Sequence, residues 1–179
     1  AVEPQSSSIP NVSTSQLASV KISSLGLEDT KFLPNGIIIW NDVSFERALY
    51  LLEKINLRIN SSVLKKLLNE VLSISQDPPT GETSLEIEFI NKKLELIANL
   101  YQLEILYQLI DLLPDDTIFD HWRALRVEHL LLKGEFESDS FACKIVNDIS
   151  VENEDEFWKK AQIFCQIILG NEDDAIFDA

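Results

Sequence analysis

Residues 117–134 read TIFDHWRALRVEHLLLKG, and how that stretch is read decides the fold. Phe119, Trp122, Leu125, Val127 and Leu130 to Leu132 recur at helical spacing, so the segment predicts one amphipathic helix with a broad apolar face. Asp115 and Asp116 place acid where the positive end of the helix dipole favours it. Gly134 supplies the left-handed residue that closes a helix. Two other helical patterns end in the same way, at Asn99 and Gly170, 35 residues before and 36 residues after Gly134. A period of that length is the mark of a solenoid, in which each helical unit buries its apolar face only by stacking on the next.

Working outward, the same pattern recurs. Thr83-Ser84-Leu85-Glu86 has the spacing of a capping box, opening a helix that carries Phe89, Ile90, Leu94 and Ile97 and stops near Asn99. A partner helix runs from about Tyr101 to Leu113, ahead of Pro114. Beyond Gly134, Phe141 to Ile149 predicts another helix. Asn153 to Glu156 then repeats the capping logic before a helix bearing Phe157, Trp158, Ala161, Phe164, Cys165 and Ile168. Upstream, Asn41-Asp42 offers a cap for a helix with Phe45, Ala48, Leu49 and Leu52. Asn60 or Ser61 caps a second helix, and the short link between the two predicts an antiparallel hairpin.

The expected fold is therefore all-α: antiparallel helical hairpins stacked as a short tetratricopeptide-like α-solenoid, with an extended N-terminal segment. Residues 1–19, rich in Ser and Pro, are expected to form a flexible polar tether. Residues 20–42 should dock on the helices as an extended segment, and residues 43–179 should form the repeat domain. Gly170 followed five residues later by Ala175 resembles the mid-hairpin turn of tetratricopeptide repeats. Ile176 and Phe177 would begin a further helix, so the last hairpin is expected to be incomplete. The opening AVEPQSSSIPNVSTSQ reads as a mature terminus left by signal cleavage or as an arbitrary boundary.

Composition limits the function classes. Apolar residues make up 45% of the 179, which excludes wholesale disorder, and no apolar run reaches the length of a membrane span. A net charge of −15 argues against nucleic acid, because phosphate contacts need clustered Lys and Arg. The acid is concentrated late: from Glu135 onward there are 12 Asp or Glu against three Lys. Glu135, Glu137, Glu152, Glu154 and Asp155 are thus the candidate interaction surface, either a solvated face or a patch for a basic partner.

Chemistry-bearing residues are few. No catalytic residue, cofactor motif or Gly-rich phosphate loop is recognisable, and none is assigned. His121 and His129 lie eight residues apart with acids nearby, but without HExxH spacing no metal site is assigned. Arg123 and Arg126 are expected to pair with acids across neighbouring helices. Cys143 and Cys165 lie on successive helices, as two buried thiols or as a disulfide. With the hairpin turning near Val151 they fall roughly one helical turn out of level, and a later start to the second helix would bring them level.

Two groups of short motifs add a resemblance. Ser23-Ser24-Leu25-Gly26-Leu27 followed by Trp40 is one. Trp122 to Glu128, with Ala142-Cys143-Lys144 and Phe164-Cys165-Gln166, is the other. Together they resemble a family of long, uncharacterised alphaproteobacterial helical-repeat envelope proteins, often mislabelled as antifreeze-type. The resemblance implies a periplasmic or cell-envelope location, with the cytoplasm as the alternative, and no catalytic residues. The expected function is a non-enzymatic scaffold that binds a protein partner or further copies of itself. Its rivals are a ligand-binding or enzymatic α-domain with a pocket near His121 or Arg126, and a structural subunit of a larger envelope assembly.

Overall fold

The computed structural model describes residues 21–27, 38–135, 142–150 and 155–171. The expected tether at 1–19 and the start of a further helix at Ile176 and Phe177 lie outside the described residues. What is described is all-α. Seven helices follow one another: α1 Phe45–Glu53, α2 Ser62–Ser73, α3 Glu86–Asn99, α4 Leu103–Ile110, α5 Asp120–Lys133, α6 Ala142–Ser150 and α7 Glu156–Ile168. No strands occur among the described residues, only two isolated parallel bridges, Leu27 to Ile74 and Ser44 to Thr80.

Helices α1, α2 and α7 begin where a side chain accepts one of the backbone donors that the first turn leaves unpaired. Ser44 accepts from the Arg47 amide, Ser61 from Leu64 and Asp155 from Phe157. Ser44, not Asn41 or Asp42, therefore caps α1, and α7 starts two residues later than the Asn153 cap would set. The expected capping box at Thr83 does not form. Thr83–Leu85 is a 3-10 turn, and the Glu86 carboxylate is taken instead by Ser23, which donates through its amide at 2.8 Å and its hydroxyl at 2.6 Å.

The helix ends share one geometry. Gly134 has φ 77° and Gly170 has φ 82°, and the residue after each donates back five positions, Glu135 to the Leu130 carbonyl and Asn171 to Gln166. The third member is Tyr101, with φ 58° and a bond from the Gln102 amide to the Ile97 carbonyl. All three are Schellman closures. The first closing residue is thus Tyr101 and not Asn99, which is the last residue of α3.

Packing is organised around α3. Its residues Phe89, Ile90, Leu94 and Ile97 are almost completely buried. Phe89 receives the edges of Trp40 and Phe45, with ring centroids at 5.4 and 5.8 Å. The first two helices depart from the expected hairpin, since α1 and α2 each pack on α3. From α3 onward the order is serial, α3 on α4, α4 on α5, α5 on α6 and α6 on α7. Among the described residues there are two apolar cores. Phe119 and Trp122 at the start of α5 belong to the first, while Val127 and Leu130 belong to the second with Ala142, Val146, Trp158 and Ala161. A 3-10 turn at Thr117–Phe119 precedes α5, and Leu132, expected on its apolar face, is 81% exposed.

The N-terminal segment is clasped onto this body. Leu27 bridges the end of α2, donating to the Ser73 carbonyl at 2.7 Å and accepting from the Ser75 amide at 2.9 Å. Gly26 lies so close that a Cβ there would sit 2.3 Å from the Ile74 carbonyl carbon and the Ser75 nitrogen. Lys93, 2% exposed, donates from Nζ to the Leu25 carbonyl at 3.0 Å. Loss of water around that amine lowers its pKa from 10.5 to about 8.

Candidate functional site

The residues that invited a search for a site lie on α5, and the helix sends them to different places. Arg123 turns back on the connection from α4. It forms ion pairs with Asp115 at 3.1 Å and Asp120 at 3.0 Å, and donates to the carbonyls of Asp116 and Pro114. Arg126 meets Asp111 through two parallel bonds, Nε to Oδ1 at 3.1 Å and Nη2 to Oδ2 at 3.0 Å. Its guanidinium also lies over the Tyr107 ring at 5.2 Å. Both arginines thus tie α5 to what precedes it, Arg126 in the bidentate and stacked geometry that suits a guanidinium.

His129 stacks on Tyr107 with ring centroids 4.2 Å apart, where burial lowers its pKa and the charges of Lys133 and Arg126 lower it further. His121 faces elsewhere, beside Trp122 at 4.9 Å. The two histidines are therefore not one site. Among the described residues no group of three His, Cys, Asp or Glu is placed to hold a metal ion.

His121 and Arg126, beside which the rival reading sets a pocket, line two separate hollows. Arg126 lines one of about 300 Å³, with Arg123, Asp111, Asp115 and Asp148 above an apolar base of Ile110, Ile145 and Ile149. His121 lines another of about 460 Å³, bounded by α1 and α5 and lying over α3. Leu49 and Trp122 form its floor, and Glu53, Glu88 and Glu95 stand around it. The Trp122 indole N–H donates to Asn91 Oδ1 at 2.8 Å, which fixes the floor. Sequence spacing could not reveal this groove, because its three walls come from helices far apart in the chain.

Cys143 and Cys165 are joined, Sγ to Sγ at 2.10 Å with Cα atoms 5.4 Å apart. The reading of two separate buried thiols is corrected by that bond. The level is restored because α7 starts at Glu156, so that the second residue of α6 lies opposite the last turn of α7. Of the acidic residues proposed as an interaction surface, Glu135 is exposed just past Gly134, and Asp155 is exposed while its carboxylate caps α7 at 2.8 Å. Glu137, Glu152 and Glu154 lie outside the described residues. Among the described residues no helix is long and apolar enough to cross a membrane.

Comparisons with protein-family models, with curated proteins and with solved structures found no match.

Proposed function

We propose that this chain is a non-enzymatic scaffold of a bacterial cell envelope, its helices stacked as a short tetratricopeptide-like solenoid that holds a protein partner or further copies of itself. The observation that carries the reading is the recurrence of one helix closure at Tyr101, Gly134 and Gly170 along a serially packed run of helices. Such a run presents extended surface in place of a deep cavity. The side chains best suited to chemistry support it too. Arg123, Arg126, Lys93 and His129 are each engaged in internal contacts that tie the fold together.

The compartment is argued from the bond between Cys143 and Cys165, since disulfides persist in oxidising spaces such as the bacterial periplasm. Fractionation of native cells, with thiols alkylated before lysis, tests the location. Recovery with the envelope, and with both cysteines protected from alkylation, is the expected result. A reduced pair in a cytoplasmic fraction would overturn it. For the scaffold itself, photo-crosslinkers placed along the exposed faces of α5 and α7 should give discrete adducts in intact cells. Their absence at every position would remove the reading.

A further inference from the structure

The exposed side of α1 is basic along one edge, at Arg47 and Lys54, and acidic along the other, at Glu46 and Glu53, in a chain whose net charge is −15. Arg47 and Lys54, seven residues apart, both approach the Tyr50 ring, at 5.3 and 5.2 Å from its centroid. Tyr50 is 49% exposed and Leu51 41% exposed. Neither cation has a carboxylate partner among the described residues. Arg47, Tyr50 and Lys54 therefore form a cationic, aromatic ridge along the helix. Immediately beside it lies the groove of about 460 Å³ between α1 and α5. Glu53 and Glu88 on its rim are exposed and have no ion pair among the described residues, while Glu95 shares its charge with Lys92 at 2.7 Å.

We propose that two copies of this chain associate through these features, the α1 ridge of each lying in the groove of the other. The occupant is argued from complementarity present on one molecule. The groove is acidic at its rim, where Glu53 and Glu88 can receive Arg47 and Lys54, while Tyr50, between the two edges of α1, meets the same residue of the other copy. The groove lies between two helices over a third, the shape that accepts a helix. At about 100° per residue, Leu49 and Glu53 fall on one flank of α1 and Arg47 and Lys54 on another, with Tyr50 between them. A two-fold axis parallel to α1 along that strip carries each ridge onto the partner's groove. Both contacts then form together, and the assembly closes as a dimer. This deepens the scaffold reading by naming its partner, and it rests on that reading in taking the surface as the working part.

Sedimentation equilibrium of the full chain tests it. A dimer is expected whose dissociation constant rises about tenfold or more when salt is raised from about 0.05 to about 0.5 M. The double variant Arg47→Glu/Lys54→Glu should be monomeric, as should Glu53→Lys/Glu88→Lys, because each places like charges in both contacts. An equimolar mixture of the two restores opposite charges in both contacts, so it should form a heterodimer within about threefold of the original affinity. All four positions are exposed, and unchanged circular dichroism and melting will show that the variants are folded. A wild-type chain that stays monomeric at about 100 μM, well above the dissociation constants of specific interfaces, overturns the proposal. A dimer indifferent to both charge reversals, or an open ladder of oligomers, overturns it as well. None of these outcomes bears on the location, which the fractionation experiment decides separately.

Discussion

Tyr101 holds φ at 58°, a conformation that costs an ordinary residue roughly 1 kcal/mol and glycine almost nothing. Its side chain is 86% exposed, so little packing offsets the strain. Tyr101→Gly should therefore raise stability by about 1 kcal/mol, measured by urea unfolding, whereas Gly170→Ala at φ 82° should lower it by a similar amount. Lys93 gives a second test at this scale, with a pH signature. Its folded pKa of about 8 lies below its ordinary 10.5, so between those values the unfolded chain binds the proton that the folded chain has released. Stability should consequently climb as pH rises through that window, by up to about 3 kcal/mol at 1.4 kcal/mol per unit. Lys93→Met should flatten that climb in denaturant titrations run at a series of pH values. Neither residue could be identified from the sequence. Tyrosine carries no signal for a left-handed closure, and Asn99, two positions earlier, is the better local candidate. Lys93 follows the polar run of α3, and only the Leu25 carbonyl 68 residues away explains its burial.

Among the elements, the helices were legible and their beginnings less so. Apolar spacing placed all seven, because each buries one stripe, as Phe89, Ile90, Leu94 and Ile97 do on α3. The capping box ahead of α3 was lost to a distant group, whereas α1 and α7 are capped a few residues later than expected, at Ser44 and Asp155. Glu86 lies three residues after Thr83, as a capping box requires, but the Ser23 amide and hydroxyl reach its carboxylate first. The same segment shows how an element can depend on a missing side chain. Gly26 allows Leu27 to bond between Ser73 and Ser75, and any Cβ there would collide with backbone at 2.3 Å. Gly26→Ala should cost about 1–3 kcal/mol, the range for overpacking a closed site. Because the fault is local, amide exchange should rise first in residues 21–27 and at the end of α2, with α5 to α7 unaffected. Equal protection of residues 21–27 in the variant and the parent would show that the clasp tolerates the side chain.

At the scale of the whole molecule, α5 joins two cores, contributing Trp122 to one and Val127 to the other. The repeat period read from the sequence anticipated serial stacking of the later helices, but not that α1 and α2 would lodge on α3. That arrangement depends on contacts such as Trp40 against Phe89, which no local period encodes. The Cys143–Cys165 bond lies wholly in the second core and closes a sequence separation of 22 residues. Loop-closure entropy assigns it about 3 kcal/mol. Cys143→Ala/Cys165→Ala should therefore lower the melting temperature by on the order of 10 °C. Hydrogen exchange should accelerate in α6 and α7 while α3 keeps its protection; uniform acceleration would mean that the two cores unfold as one. The bond also fixes the path that tension takes through the chain. When the protein is pulled by its two ends, force crosses from Cys143 directly to Cys165, and the loop between them carries no load. About 75 Å of contour, at roughly 3.5 Å per residue, stays locked until the bond is reduced. In a tethering protein, that bridge would set the distance over which the two ends can be drawn apart.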